Sequence, residues 1–242
     1  MIRFFAAPSD ISDGMIRLSG DDSKHIRSLR LKPSELFTVC DGDCTDHICR
    51  LGERGSGTSA EIVETLPTRG EPAVECTVYI ALAKGDRLEY TVQKSVELGA
   101  REIVLFPSER CIAAPDDAAK KTARLQRIAL EAAKQCHRGR VPGVVAAGSF
   151  AEAVRQASRA GIPLFFYECE KELHLKKALE SRGAALSVSI VTGPEGGFAE
   201  HEADAARSAG MLIVTLGPRV LRCETAPVAA LAAIMFHTGN MQ

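Results

Sequence analysis

Two short runs hold the residue types best suited to ligand chemistry, residues 193–198 (GPEGGF) and residues 216–226 (LGPRVLRCETA). Each run follows an apolar stretch with β-strand character and precedes a stretch with helical character. Each concentrates glycine, proline and charge in a few positions, which is typical of a loop rather than a core. Because glycines carry no side chain, a ligand can approach their backbone closely. The two runs therefore predict ligand-binding loops.

The charged residues of these runs could act on a ligand or only support the fold. Glu195 places a carboxylate among the glycines of the first run, where the alternative is an ordinary strand-to-helix turn. In the second run Arg219 and Arg222 are three positions apart, and Glu224 and Thr225 could cap the N–H groups of a helix start. An Arg–Glu pair that braces this helix start is the alternative there. The chain contains no GxxxxGK[ST] phosphate loop and no GxSxG serine-hydrolase elbow.

Composition limits the classes of protein to consider. The 242 residues are 45% hydrophobic and carry a formal net charge of −1, so any nucleic-acid site must be a local patch. No long apolar run is present, which predicts a cytoplasmic protein without a membrane partner. The eight cysteines include no Cys-x-x-Cys pair. Cys40, Cys44 and Cys49 with His47 leave zinc as an alternative, but reduced structural cysteines are favoured and no metal is expected.

The sequence pattern changes near residue 70. Before that point, residues 34–41, 46–51 and 58–66 have strand patterns, and the glycine-rich segment at residues 52–57 (GERGSG), the nearest approach to a dinucleotide-binding fingerprint, suits a hairpin tip. These features predict a small β-barrel or β-rich module. Residues 67–72 (PTRGEP) have the composition of a linker.

After residue 70, strand and helix patterns alternate. Alternation of this kind predicts an α/β domain with a mostly parallel sheet, in which ligands bind beyond the carboxyl ends of the strands. Both ligand-binding runs lie at such ends. The predicted strands are residues 74–83, 102–106, 163–167, 186–192 and 211–216, and the predicted helices are residues 86–98, 117–137, 150–160, a short one after 170, one from 200 and a final one after 226.

The paired runs resemble the signature of the RsmE family of bacterial 16S rRNA (uracil-N3)-methyltransferases, which belongs to the SPOUT superfamily. The resemblance extends in order along essentially the whole chain. Further matching segments are residues 25–32 (HIRSLRLK), 83–87 (AKGDR), 93–94 (QK), 97–99 (ELG), 108–110 (SER) and 131–142 (EAAKQCHRGRVP).

This resemblance implies a fold, a cofactor and partners. Residues 1–70 would form a PUA-like β-barrel that contributes to RNA binding, and residues 71–242 a SPOUT methyltransferase domain with a trefoil knot. The cofactor would be S-adenosylmethionine, the substrate partner 16S rRNA or the small ribosomal subunit, and the assembly a homodimer. Knots are rare in proteins, and the residue pattern alone supplies only loops at strand ends and an alanine-rich last helix.

The resemblance and the loop chemistry together nominate site residues. Arg222 is expected to face the uracil oxygens or a flanking phosphate, and Glu224 to orient that arginine or accept the N3 proton. The alternative makes Glu224 only a helix cap. The residues expected to contact the cofactor are Tyr167, Thr192, Gly193, Pro194, Glu195, Gly197, Leu216, Gly217, Leu221, Cys223, Thr225 and Ala226.

RNA contacts are expected from local basic clusters. Residues 84–140 carry twelve Lys and Arg against eight Asp and Glu, whereas residues 1–70 carry nine against eleven. Arg110, Arg138 and Arg140 are therefore candidates for phosphate contacts in the α/β domain, with a solvated amphipathic face as the alternative for its basic helix. The resemblance adds His25, Arg27 and Arg30.

Other functions fit parts of the same pattern. A non-catalytic RNA-binding module would keep the β-rich domain and would not bind S-adenosylmethionine. A SPOUT methyltransferase acting on a ribose 2′-OH or on another RNA would share the loop geometry. A phosphate-binding enzyme would use the glycines, but the Walker lysine is absent.

Overall fold

The computed structural model describes residues 1–52, 59–112, 118–183 and 185–241. They divide into two compact units, the first formed by Met1–Glu71 with Ala133–Val141, the second by Pro72–Ala132 with Pro142–Gln242. The first boundary lies close to the predicted division at residue 70. The sequence did not predict that Ala133–Val141, here called the return segment, belongs to the first unit. Its backbone and side chains are bonded to the end of the predicted linker, as described below.

The first unit is built on a six-stranded sheet. Its strands are β1 (Arg3–Phe5), β2 (Ile11–Ser12), β3 (Met15–Arg17), β4 (Phe37–Cys40), β5 (Thr45–Leu51) and β6 (Ser59–Pro67). The sheet order is β1-β4-β5-β6-β3-β2, with β1 and β4 parallel and the other neighbours antiparallel. Strands β4 to β6 confirm the three predicted strand patterns. The predicted hairpin tip lies, except for Gly52, outside the described residues.

A helix in the first unit was not predicted from the sequence. Helix α1 (Gly20–Leu29) begins after Ser19, whose hydroxyl accepts a hydrogen bond from the Asp22 N–H. Ile26 is its one buried apolar side chain, so the periodicity that identifies helices is weak. Ile26 packs into a core that includes Phe4 and Phe37, whose rings meet edge to face.

The second unit confirms the predicted α/β architecture, because its six strands all run parallel in the order β12-β10-β11-β7-β8-β9. Its strands are β7 (Glu75–Ala81), β8 (Glu102–Phe106), β9 (Gly143–Ala146), β10 (Ile162–Phe166), β11 (Ser187–Thr192) and β12 (Leu212–Val214). Its helices are α2 (Arg87–Glu97), α3 (Ala118–Gln135), α4 (Phe150–Ala157), α5 (Leu175–Arg182), α6 (Glu200–Ser208) and α7 (Thr225–His237). The last three residues of α3 belong to the return segment.

Sheet order brings distant parts of the sequence to one edge. Strands β12, β10, β11 and β7 are neighbours, so the segments that leave their carboxyl ends lie side by side. The run at 193–198 is anchored there by Phe198, which is 1% exposed, with its ring centroid 4.3 Å from that of Phe165. This burial fixes the glycine-rich loop to the core.

Within the described ranges, none of the helices is both long and apolar enough to cross a bilayer.

Candidate cofactor and substrate site

A cavity of about 530 Å³ lies at the carboxyl ends of β10, β11 and β12. Its volume falls in the range of small-molecule binding sites. Both runs line it, and so do all the residues expected to contact the cofactor except Thr225. Thr225 is exposed on the first turn of α7 and is not part of the lining.

Two glycines of the first run suit the positions that they occupy. A Cβ atom on Gly193 would lie 3.2 Å from the ring of the buried Phe198. Gly197 has a φ of +67°, a backbone conformation that favours glycine. The loop therefore presents bare backbone to the cavity at two positions, which is the property that the sequence predicted.

Glu195 is held by the segment that precedes α2. Its Oε1 accepts hydrogen bonds from the Lys84 N–H at 3.0 Å and from Nη1 of Arg87 at 2.8 Å. Burial raises the pKa of this carboxyl, but the Lys84 N–H and the Arg87 guanidinium lower it by a larger amount. The net pKa therefore lies below the usual value. Glu195 is thus a fixed carboxylate in the cavity wall.

Glu224 does not contact Arg222 in the way that was expected. Its carboxylate lies 3.7 Å from Nε of Arg87 and accepts a hydrogen bond from Sγ of Cys223 at 3.2 Å. It also makes no side-chain cap at the start of α7. The expected contact with Arg222 is thus replaced by one with Arg87, more than a hundred residues away in sequence, and the role of Glu224 as proton acceptor stays a prediction.

Arg222 is exposed beside the same cavity. No ion pair involves its guanidinium in the described part of the chain. Its carbonyl accepts the Thr225 and Ala226 N–H groups, which fixes the backbone at the start of α7. The structure thus leaves the Arg222 guanidinium open to a ligand.

The thiol and the phenol that line the cavity are both neutral at pH 7. Burial raises the pKa of the Cys223 thiol to about 12, with the Glu224 contact adding to the effect, so Cys223 is a neutral wall residue. Burial, followed by the Cys169 hydrogen bond, raises the pKa of Tyr167 to about 12. Neither side chain supplies a nucleophile to the cavity.

Arg110 contacts the first run rather than standing free. Its Nη1 donates to the Gly196 carbonyl at 3.2 Å, and its Cβ lies 3.1 Å from where a Gly196 Cβ would be. The buried carboxylate of Glu202 anchors this segment by accepting hydrogen bonds from Ser108 Oγ and the Glu109 N–H. Arg110 remains exposed, so its guanidinium can both support the loop and meet RNA.

Arg138 is buried in the first unit, contrary to its expected exposure to RNA. The residue is 3% exposed, and its Nε and Nη2 donate to the two carboxylate oxygens of Glu71 at 2.8 and 2.9 Å. Its carbonyl accepts from Nη1 of Arg3. The Glu71 carboxylate also accepts the Gly139 and Arg140 N–H groups, so this network explains why the return segment joins the first unit. A guanidinium that is buried and paired with a carboxylate in this way is poorly placed to contact phosphate.

The other predicted RNA contacts are accessible. His25, Arg27 and Arg30 are exposed on or just after α1, and the His25 ring meets the Phe4 ring edge to face. Arg140 is 34% exposed at its side chain and pairs with Asp43 at 3.0 Å. These four residues, all in the first unit, keep donors that RNA could reach.

Sequence reasoning missed two charged residues of the cavity, Arg87 and Glu168. Arg87 opens α2 just after β7, and Glu168 follows β10 directly. A position beyond the carboxyl end of a strand is the sequence signal that both residues carry.

The cysteines of the first unit have structural contacts. Cys40 Sγ donates to the Gly139 carbonyl at 3.2 Å, and Cys49 Sγ to the His47 carbonyl at 3.4 Å. Over the residues that the structure describes, no group of three or more His, Cys, Asp or Glu side chains is arranged to hold a metal ion.

Comparison with known proteins gives consistent matches. A family model described as an RNA methyltransferase domain matches residues 70–235. Ribosomal RNA small subunit methyltransferase E of Bacillus subtilis is 31% identical over 91% of this chain and 90% of its own. The Synechocystis protein of the same name is 33% identical over 96% of this chain and 76% of its own.

A solved structure is similar over nearly the full length. The crystal structure of ribosomal RNA small subunit methyltransferase E from Neisseria gonorrhoeae, bound to S-adenosyl methionine, has a TM-score of 0.85 and 34% identity, covering 98% of each chain. This likeness, together with the parallel sheet, confirms the expected SPOUT-type α/β class. The trefoil knot and the PUA-like identity of the first unit stay predictions.

Proposed function

The chain belongs to the RNA methyltransferase family that includes ribosomal RNA small subunit methyltransferase E, and we propose that it transfers a methyl group from S-adenosylmethionine to N3 of a uridine in 16S rRNA. The observation that carries this proposal is the single cavity lined by both runs, because it joins cofactor-type loops to Arg222 and Glu224. The relative from Neisseria gonorrhoeae binds the same cofactor in its crystal structure.

The residues around the cavity fit S-adenosylmethionine. An adenosyl group needs backbone N–H and C=O partners and apolar walls, and Gly193, Gly197, Gly217, Leu216 and Leu221 offer both. Cys223 and Ala226 add small walls beside them. The bound cofactor supplies an activated methyl group on its sulfonium.

Arg222 and Glu224 are proposed to serve the uracil. Loss of the N3 proton leaves negative charge on the uracil oxygens, and the open guanidinium of Arg222 would stabilise that charge. Glu224 would accept the proton directly or through water. Arg87, rather than Arg222, would position the Glu224 carboxylate.

RNA is proposed to contact exposed arginines in each unit. In the first unit these are Arg27, Arg30 and Arg140, with His25 beside them, and in the second unit Arg110 beside the first run. Arg138 is withdrawn from the proposal because it is buried and its Nε and Nη2 donate to Glu71. Phosphate contacts of this kind make affinity depend on salt.

A homodimer is proposed from the last helix. Helix α7 is apolar around its whole circumference, and Phe236 is 70% exposed on it. A helix that is hydrophobic on all sides is normally buried, so a second copy of this chain would cover the open face. The protein is proposed to work in the cytoplasm, with a PUA-like first unit and a knotted second unit.

The proposal is tested by nucleoside mass spectrometry of 16S rRNA from a strain that lacks the gene. We expect one 3-methyluridine to be missing and to return with the wild-type chain but not with Arg222→Ala. A lost ribose 2′-O-methylated nucleoside would instead identify the alternative reaction. Unchanged nucleosides, with no S-adenosylmethionine binding in calorimetry, would identify an RNA-binding module.

A further inference from the structure

Glu168 lies inside the cavity and packs against the first run. It follows Tyr167 at the end of β10, and its carboxylate extends to Gly197. The carboxylate carbon Cδ lies 2.6 Å from the position that a Cβ atom on residue 197 would occupy. A side chain at 197 would therefore require the Glu168 carboxylate to move, in addition to the strain from the positive φ.

The carboxylate of Glu168 differs from the other two in the cavity. Glu195 and Glu224 both face Arg87, at 2.8 and 3.7 Å. Glu168 makes no hydrogen bond or ion pair with any described residue. It is thus the cavity carboxylate whose acceptor oxygens remain open to a ligand.

A solvated surface carboxylate is the simpler explanation for an open glutamate. Glu168 is indeed exposed as a residue, but its carboxylate lies against the backbone of the loop that is expected to hold the cofactor. An open acceptor at that place suits a ligand with N–H or O–H donors.

We propose that Glu168 binds S-adenosylmethionine by accepting hydrogen bonds from its donor groups, the ribose hydroxyls or the α-ammonium group. The inference rests on the proposed function, in which this cavity holds that cofactor. Gly197 then serves the site by leaving room for the Glu168 side chain.

Calorimetric titration with S-adenosylmethionine tests the inference on the full chain. A hydrogen bond to a charged acceptor predicts that Glu168→Gln raises Kd by about ten- to a hundredfold. Glu172→Gln is the matched control, because Glu172 is an exposed glutamate four positions further on that does not line the cavity. Thermal unfolding of each variant verifies that it is folded.

A second ligand separates the two donor groups. 5′-Deoxy-5′-methylthioadenosine keeps the ribose hydroxyls and lacks the amino-acid end. Equal weakening of both ligands by Glu168→Gln supports a ribose contact, and weakening of S-adenosylmethionine alone supports an ammonium contact.

Two results would overturn the inference, and they differ from each other. If the wild type binds S-adenosylmethionine and Glu168→Gln binds it equally well, the role of Glu168 is wrong while the proposed function stands. If the wild type binds none, the proposed function fails and this inference fails with it.

Discussion

Arg138 and Arg222 are both arginines that the sequence nominated for contact with RNA, yet the structure places them in opposite environments. Arg138, in the return segment, is 3% exposed and donates to both carboxylate oxygens of Glu71. Arg222, beside the cavity, is exposed and has no ion-pair partner in the described ranges. A buried arginine that is paired with a carboxylate holds a fold together, whereas open donors at a cavity can bind a ligand.

The largest effect expected from this comparison is on stability. Arg138→Met removes one partner of a buried pair and leaves Glu71 facing backbone N–H groups alone. Breaking a buried ion pair costs about 3–5 kcal/mol, so we expect a loss of that size in the free energy of unfolding. Denaturant unfolding followed by circular dichroism measures it.

Arg140→Ala is the matched control for that variant. Arg140 lies two positions along the same segment, and its partner Asp43 is 79% exposed at the side chain. An exposed pair contributes at most about 1 kcal/mol. Equal losses in the two variants would contradict the structural role given to Arg138.

The same network predicts a pH dependence of stability. Burial raises the pKa of Glu71, but the Arg138 guanidinium and the Gly139 and Arg140 N–H groups lower it more, so the net pKa falls below 4.5. Because the folded-state pKa is below the unfolded value, the carboxylate stabilises the fold above pH 4.5 and this stabilisation is lost as pH falls through the folded pKa. We expect Glu71→Gln to flatten the pH dependence of unfolding below pH 4.5. A slope identical to that of the wild type would count against the network.

A substitution of Arg87, at the cavity, is expected to have a smaller effect than that of Arg138. Arg87→Gln leaves the carboxylates of Glu195 and Glu224 without their shared cation, and we expect about a tenfold rise in the Kd of S-adenosylmethionine or fall in turnover. Arg101→Gln is the control, since Arg101 is 45% exposed at its side chain and pairs with Glu75 outside the cavity. If both substitutions change binding alike, Arg87 has no special place in the site.

The smallest effect per residue, on the salt dependence of RNA binding, is expected for the exposed arginines of the first unit. Arg27→Ala and Arg30→Ala should each reduce the slope of log affinity for an rRNA fragment against log salt by about one. Arg17→Ala is the control, because both Nε and Nη2 of Arg17 donate to Asp10, whereas the ion pair of Arg140 engages only Nη2. Fluorescence anisotropy at several salt concentrations gives the slopes, and an affinity that does not respond to salt would exclude the phosphate contacts.

Much of the second unit could be predicted from the sequence, because buried parallel strands are continuous apolar runs. The predicted strand at residues 102–106 coincides with β8. Strand β9 was missed since it has only four residues and begins with glycine. Helix α1 was missed because a hydroxyl cap and one buried isoleucine, rather than an apolar stripe, define it.

The cavity could be predicted in part, for a different physical reason. Gly193, Gly197 and Gly217 mark loops by their backbone requirements, which are local and visible in sequence. Arg87 and Glu168 reach the same cavity only because the order β12-β10-β11-β7 makes distant strand ends neighbours. Sheet order is a long-range property, and no local pattern contains it.

Turnover of Arg222→Ala, with saturating S-adenosylmethionine and small-subunit RNA, tests most directly whether the open arginine serves the reaction. The loss of one donor to a developing negative charge predicts a fall in turnover of about a hundredfold. The unfolding free energy and the Kd for S-adenosylmethionine should stay at wild-type values, whereas folded Arg138→Met should keep wild-type turnover. Near-wild-type turnover in Arg222→Ala would contradict the account.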